Sequence, residues 1–247
     1  MKSKQLYAIL AALLALCLAA PAESAGVPGD TNGSAAVTGT VKVIGPLPKP
    51  APINMAQEPA CAKIHAGQAL LEEVVTGAGG TLGNVVVYIS AGLDGRTFDP
   101  PSQPAVIDQK GCMYYPHIIA LQANQKLEVI NSDPTSHNIH PIPASNREWN
   151  KSQPPGAPPI EASFAREEIT IPVKCNVHPW MKSYIAVFKN PFFAVTGKEG
   201  NFELKNLPPG TYTITAWHEK FGLSEQKVTV APNETKKLEF VFKSKGF

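Results

Sequence analysis

Three side chains that can bind a metal ion lie within seven residues of one another: Cys175, His178 and Met181. They follow directly on residues 169–174, a run with the β-branched character of a strand. A thiolate, an imidazole and a thioether are soft ligands, and this combination suits copper. A trigonal copper site needs two imidazoles and one thiolate in its plane, with a weak thioether at a longer distance. A second histidine must therefore come from another part of the chain.

His137 is the candidate for the second imidazole. It lies 38 residues before Cys175 and follows a strand-like run and the turn at 131–134. Two loops at the same end of a β-sandwich can meet, so the two segments can complete one site. Asn138, beside His137, is expected to bind the loop and the sulfur of Cys175 from outside the ligand set. We therefore expect one copper ion to be held by His137, Cys175, His178 and Met181.

The C-x2-H-x2-M spacing, with proline after the histidine, resembles the ligand loop of the amicyanin-like and plastocyanin-like cupredoxins. The His-Asn-Ile-His sequence at 137–140 is similar to their first-ligand segment, and 121–131 to the strand pair before it. The resemblance spans about residues 105–190. It implies a type 1 (blue) copper centre on the same four ligands, which exchanges single electrons and catalyses no reaction. The loop at 145–166 is longer than in a minimal cupredoxin, which affects the surface that faces a partner.

The last 55 residues resemble a second family, the carboxypeptidase regulatory-like module, which is a transthyretin-like β-sandwich. The motifs lie at 196–204 and 207–212, while the usual opening strands occur far upstream, at 38–41 and 83–87. Either the cupredoxin is inserted into this module, or the tail is a separate small domain. The first arrangement assigns 36–98 and 192–247 to the regulatory-like module and 99–191 to the cupredoxin domain. The module has no catalytic signature and implies a structural or binding role.

Short alternating runs separated by glycine and proline turns extend over most of the chain, which is typical of sandwiches and barrels. The predicted fold class is therefore all-β, with a cupredoxin Greek-key sandwich and a smaller transthyretin-like β-sandwich. A weak helix is predicted near 60–73, and the polar, proline-rich stretch 146–165 is predicted to be a long ordered loop.

The N-terminus has the pattern of an export signal. Lys2 and Lys4 precede an apolar run at 6–20 and a small-residue cleavage site, so residues 1–22 are predicted to be a signal peptide. Residues 23–35 are small and polar, which predicts a flexible leader. No later apolar run approaches the ~18 residues that a membrane span needs. We therefore expect a periplasmic or secreted protein without stable membrane insertion.

The remaining cysteines allow two interpretations. Export would place them in an oxidising compartment, where Cys61 and Cys112 can form a disulfide. Alternatively, the same two cysteines form a second metal site with His65 and His117, although C-x3-H and C-x4-H are not standard ligand spacings.

Two functions remain after these patterns are combined. The first is a periplasmic type 1 copper protein that carries single electrons between transient redox partner proteins and is not an enzyme. The alternative is a cell-envelope binding or structural protein, in which the regulatory-like module binds a partner and copper is structural or sensory. The net charge of +2 gives no electrostatic basis for nucleic-acid binding. Copper storage is disfavoured, because it usually needs several soft ligands and the whole sequence has only four methionines.

Overall fold

The computed structural model describes residues 27–29, 32–65 and 69–246. The predicted signal peptide, 1–22, lies outside the described residues, as does part of the predicted leader, 23–35. Nearly all of the regular secondary structure in the described chain is β-strand, which confirms the predicted all-β fold class. None of its helices has the length and apolar character needed to span a lipid bilayer.

The described residues form eighteen strands, one α-helix and one short 3-10 helix at Ala78–Gly80. In chain order the elements are β1 (Val27–Pro28), β2 (Ala35–Ile44), α1 (Pro59–Ile64), β3 (Val86–Ala91), β4 (Arg96–Thr97), β5 (Ala105–Lys110), β6 (Met113–Tyr115), β7 (Ile118–Gln122), β8 (Leu127–Asn131), β9 (His137–Pro141), β10 (Lys151–Gln153), β11 (Ile160–Ala162), β12 (Glu168–Lys174), β13 (Lys182–Phe188), β14 (Phe193–Val195), β15 (Asn201–Leu207), β16 (Gly210–His218), β17 (Gly222–Val230) and β18 (Thr235–Lys243).

Strands β5 to β13 form the first sandwich. One sheet has the order β10-β9-β12-β13-β7 and the other has the order β11-β8-β5-β6. The pairs β13–β7 and β5–β8 are parallel, and the remaining pairs are antiparallel. Inward-facing side chains of both sheets share one core, which includes Ile107, Leu127, Ile139, Ile171 and Ile185. The side chains of Cys175 and Met181 belong to this same core.

The second sandwich combines strands from both ends of the described chain. Its sheets have the orders β14-β3-β16-β17 and β15-β2-β18. β2 pairs in parallel with β18 over nine residue pairs, from Ala36–Thr235 to Ile44–Lys243. Because these two strands flank the first sandwich in sequence yet share a sheet, we infer that 99–191 is inserted into the module formed by the flanking segments. Within β2, Val37, Val41 and Val43 are all buried, which places them on the side of the strand that faces the core.

The two sandwiches contact each other through a third apolar cluster. Phe188 of β13 lies 4.9 Å from Tyr88 of β3 and stacks on Phe193 of β14 at 4.8 Å, measured between ring centroids. Beside this cluster, His117 Nε2 lies 2.5 Å from a carboxylate oxygen of Glu219, and both side chains are buried. The apolar cluster and this buried hydrogen-bonded pair together hold the sandwiches in contact, because His117 and Glu219 lose their partners if the sandwiches separate.

Two predictions about local structure are wrong in part. The helix predicted at 60–73 ends at Ile64, because the chain turns back and Leu71 donates a backbone hydrogen bond to Ala51. The predicted loop at 146–165 contains β10 and β11, which extend the edges of the two sheets of the first sandwich. In both segments pairing with distant backbone decides the structure, and local propensity does not report such pairing.

Replacing Phe188 by alanine should lower the free energy of unfolding by about 3–5 kcal/mol, because it leaves a cavity between the sandwiches. Urea unfolding of the metal-free protein, followed by circular dichroism, measures this change. Leu223→Ala is the matched control, since Leu223 is 61% exposed and its truncation should change stability by at most about 0.5 kcal/mol. Equal effects at the two positions would contradict the described packing.

Candidate metal centre

Two neighbouring strands bring the predicted ligand segments together. β9 begins at His137, and β12 ends one residue before Cys175. The two strands are antiparallel, with Lys174 opposite His140 and Val173 opposite Pro141. Cys175 therefore continues past His140 toward the start of β9. The loop 175–181 then returns into β13, which is the other neighbour of β12.

Three potential ligand atoms converge in the interior. The Nδ1 atoms of His137 and His178 are 2.9 Å apart, and Sγ of Cys175 is 3.7 Å from Nδ1 of His178. The three side chains are at most 3% exposed, and their ligand atoms all lie within 4.8 Å of one another. Atoms that share one metal ion lie roughly 3–4 Å apart when each metal bond is about 2.0–2.3 Å long. The described geometry therefore fits one ion between a thiolate and two imidazoles.

Met181 lies at the end of the same loop and is fully buried in the core of the first sandwich. Its backbone N–H donates to the carbonyl of His178 at 3.0 Å, and its carbonyl accepts from the N–H of Cys175 at 3.1 Å. These bonds close the loop into a compact turn. Pro179 adds stiffness, because its ring restricts the backbone between the last two predicted ligands.

Asp133 is a site residue that the sequence reasoning missed. Its carboxylate accepts hydrogen bonds from the backbone N–H groups of Gly111 and Cys112 at 2.6 and 2.7 Å. It also lies 2.8 Å from Nε2 of His137. A carboxylate four residues before the first predicted ligand, within a turn, was the available signal in the sequence. Its bonds to Gly111 and Cys112 bring together segments about twenty residues apart and could not be read from the sequence.

Asp133 determines which nitrogen of His137 faces the cluster. A carboxylate only accepts hydrogen bonds, so Nε2 of His137 carries the proton that it donates to Asp133. In the neutral ring, which is the form that binds a metal ion, Nδ1 then presents its lone pair toward His178 and Cys175. In the protonated ring, Nδ1 carries a proton that it can donate to the sulfur of Cys175. Burial lowers the pKa of His137, but the hydrogen bonds to Asp133 and Cys175 outweigh it and raise the pKa above the usual value. For His178, burial and the neighbouring His137 both lower the pKa.

The surroundings of Cys175 favour the loss of its thiol proton. Burial raises its pKa, but the hydrogen bond with His137 and the backbone N–H groups around the sulfur lower it by more, so the net pKa falls. The N–H of His178, for example, lies 3.4 Å from Sγ. Thiolate is the form that binds metals and is stabilised by donors of this kind. The two facing imidazole nitrogens repel each other unless a proton or a cation lies between them.

The structure places Asn138 between the two ligand segments. Its side-chain Oδ1 accepts a hydrogen bond from the N–H of Asn176 at 2.7 Å and lies 3.3 Å from Sγ of Cys175. Its Nδ2 donates to Asn150, and its carbonyl accepts from the hydroxyl of Tyr114 at 2.5 Å. Asn138 therefore links the loop of Cys175 to the start of β9 and to the opposite sheet.

Other histidines and cysteines lie outside the three-ligand cluster. His140 pairs with Glu148, with Nε2 2.6 Å from the carboxylate. Cys61 and Cys112 are joined by a disulfide with a sulfur–sulfur distance of 2.07 Å. His65 contacts the carbonyl of Gly111, and His117 pairs with Glu219. These four residues therefore do not form the second metal site that was the alternative interpretation of the two cysteines.

Comparison with known proteins gives one match to a family model. Residues 186–243 match the carboxypeptidase regulatory-like domain. This confirms the resemblance seen in the last 55 residues, and the matched range begins in β13 and includes β14 to β18. A search of curated protein sequences found no match.

Several solved structures align with part of the chain. A Cu-containing nitrite reductase from Thermus scotoductus SA-01 aligns with a TM-score of 0.33 and 16% identity, over 37% of this chain and 26% of its own. A mutant of amicyanin in the Cu(I) form aligns with a TM-score of 0.30 and 19% identity, over 34% and 81%. A purple cupredoxin from Nitrosopumilus maritimus aligns with a TM-score of 0.29 and 22% identity, over 34% and 98%. The alignment thus spans about a quarter of the nitrite reductase.

The stability of the metal-free protein should depend on Asp133 at acid pH. Burial raises the pKa of Asp133, but its hydrogen bonds with His137, Cys112 and Gly111 outweigh burial and lower it. Because the folded state then binds fewer protons than the unfolded state, stability falls as the pH drops from about 5 to 3. Asp133→Asn should cost about 2 kcal/mol at neutral pH and flatten this acid decline.

Urea unfolding at several pH values measures the effect. The matched control is Asp99→Asn, because Asp99 is exposed. This variant should keep the neutral stability and the acid decline of the original protein. An Asp133→Asn protein with an unchanged acid decline would show that this carboxylate does not carry the described bonds.

Proposed function

We propose that this chain is an exported type 1 copper protein that carries single electrons between partner proteins. One observation carries the proposal: two imidazole Nδ1 atoms and one cysteine sulfur converge in a buried space that fits a single ion. The buried thioether-bearing residue Met181 ends the same loop. A thiolate with two imidazoles and a weak axial thioether is the ligand set of blue copper centres.

The donor chemistry favours copper over harder ions. Calcium and magnesium prefer oxygen ligands, and the three converging atoms are one sulfur and two nitrogens. Structural zinc sites take four strong ligands, whereas the proposed fourth ligand here is the weakly binding thioether of Met181. A bound copper ion would supply one-electron chemistry by alternating between Cu(I) and Cu(II).

The protein surrounds this cluster with bonds that resist rearrangement. Asp133 fixes the ring of His137, and Asn138 links the loop of Cys175 to β9. The backbone bonds between Met181 and both Cys175 and His178 hold the loop closed. Ligands that stay in place when the charge at the site changes allow electron transfer with little reorganisation of the protein.

Burial of the cluster supports electron transfer rather than catalysis. Cys175 and His178 are 3% and 1% exposed, and His137 is fully buried. A substrate needs to reach the reacting atoms within hydrogen-bonding distance, whereas an electron needs only a partner docked on the nearby surface. We therefore propose transient redox partner proteins rather than a small-molecule substrate. Weak electron-transfer encounters of this kind bury small interfaces.

The cellular location proposed is the periplasm or the extracellular space. The signal-like residues 1–22 support export. The disulfide between Cys61 and Cys112 also supports it, because disulfides persist in oxidising compartments. The regulatory-like sandwich then serves as a rigid support for the first sandwich and for the cluster of His137, Cys175 and His178 that it carries, through the apolar contact around Phe188.

Titration of the purified metal-free protein with Cu(II) should give an intense visible thiolate-to-copper absorption that saturates at one equivalent. The electron paramagnetic resonance spectrum should show the small copper hyperfine splitting of type 1 sites, and voltammetry should show a reversible one-electron wave. Cys175→Ser should abolish the visible band, because the band originates in the bond between sulfur and copper.

Matched variants separate ligands from neighbours. His137→Ala should lose the band, while His140→Ala should keep it, since the ring of His140 is paired with Glu148 outside the cluster. Folded protein that binds copper without the visible band would reject the type 1 assignment. Copper binding with no reversible redox wave would favour the alternative, a binding protein with structural or sensory copper.

A further inference from the structure

The outer edge of the His178 ring is covered by the protein itself. Its Nε2 atom points away from Cys175 and lies 3.6 Å from Sγ of Cys61 and 3.7 Å from a carboxylate oxygen of Glu58. The whole residue is only 1% exposed. A partner or a small molecule that approaches this edge therefore meets residues 58–61 before it meets the imidazole.

The covering residues belong to the connection between β2 and β3, which we call the cap segment and define as residues 51–65 and 69–71. Its two arms are joined by backbone hydrogen bonds from Ile53 to Ala69 and from Leu71 to Ala51. Between the arms, α1 carries Cys61, which is fully buried, and Met55 is 5% exposed in the same core as the metal cluster. The cap segment therefore packs on the first sandwich, although it leaves from a strand of the second.

The Cys61–Cys112 disulfide attaches the cap segment to a turn that is hydrogen-bonded to residues of the candidate metal centre. Cys112 donates its N–H to Asp133 and accepts a hydrogen bond from Nε1 of Trp180 at 3.1 Å. Without this covalent bond the six-residue helix α1 has little intrinsic stability, because isolated helices shorter than about 12 residues are marginal in water. The disulfide thus does much to determine whether the cap segment stays closed.

We propose that the Cys61–Cys112 disulfide is a redox-sensitive latch, and that its reduction opens the cap segment and exposes His178. Both sulfurs are fully buried in the closed form, so a dithiol reductant reaches them when the cap segment opens transiently. It then breaks the latch by thiol–disulfide exchange, which keeps the cap segment from closing again. The bond between the two sulfurs breaks, and two electrons and two protons pass to Cys61 and Cys112. The reductant leaves as its own disulfide. Control of access to a metal at His178 rests on the proposed function, whereas the covering of His178 does not.

Chemical modification of His178 tests the latch directly in the metal-free protein. Diethyl pyrocarbonate acylates accessible imidazoles, and peptide mass spectrometry gives the rate for each histidine. His140 is the internal reference, since its side chain is 14% exposed and lies outside the cap segment. We expect the Cys61→Ser/Cys112→Ser double variant to modify His178 at least about tenfold faster, relative to His140, than the original protein. Lys63→Ala, an exposed change on α1, should leave the rate unchanged.

A second measurement uses the unaltered protein, in case the double variant does not fold. Hydrogen–deuterium exchange is followed before and after addition of dithiothreitol. The amides of Ala62 and His65, which bond within α1, should exchange at least about tenfold faster after reduction. The amides of β12 and β13 should keep their rates. Equal exchange of the α1 amides in both states, or an unchanged rate of His178 modification in a folded double variant, would overturn the latch.

The outcomes also separate this proposal from the copper assignment. If reduction exposes His178 but Cu(II) gives no visible thiolate band, the type 1 function fails and the latch stands. If the band forms, but removal or reduction of the disulfide changes neither the modification of His178 nor the exchange of the α1 amides, the latch fails and the copper function stands. With both intact, a chelator should remove copper from the double variant faster than from the Lys63→Ala control.

Discussion

The arrangement of the predicted ligands depends on the hydrogen bonds of one buried carboxylate. Asp133 joins the turn that carries Cys112 to the ring of His137. Its negative charge is stabilised by these donors, so it orients the imidazole without needing a second cation beside it. The same bonds hold the turn on which the disulfide is anchored. The geometry of the predicted ligand cluster and the attachment of the cap segment therefore share a single point of support.

The two sandwiches have different tasks in this arrangement. The first positions the cluster, because antiparallel pairing of β9 with β12 brings His137 and Cys175 to the same end. In the second sandwich, β2 and β3 pair with strands that follow the first sandwich in sequence, and the connection between β2 and β3 forms the cap segment. The covering of His178 thus needs both sandwiches, since the first supplies His178 and the second supplies the strands that the cap segment connects.

Much of the site could be predicted from the sequence because metal ligands have characteristic side chains and short spacings. Cys175, His178 and Met181 lie in one loop, and Asn138 is adjacent to His137, so local patterns were enough to select them. Their binding of copper remains a prediction. Asp133 and the position of the disulfide beside His178 depend on contacts between distant segments. The helix at 60–73 was overextended for the same reason, since the return of the chain to residue 51 is a tertiary contact.

The parallel pairing of β2 with β18 also sets an order on maturation. Ala36 lies opposite Thr235, so the sheet of β2, the first long strand of the described chain, is complete only when the last strand, β18, has paired with it. Contacts this far apart in sequence form late, because a long loop must be closed first. The first sandwich contains all four predicted ligands, and its strands pair with partners that are nearer in sequence, so it can form earlier. Shortening the C-terminus by one strand would leave β2 as an exposed edge, a site where other chains can add.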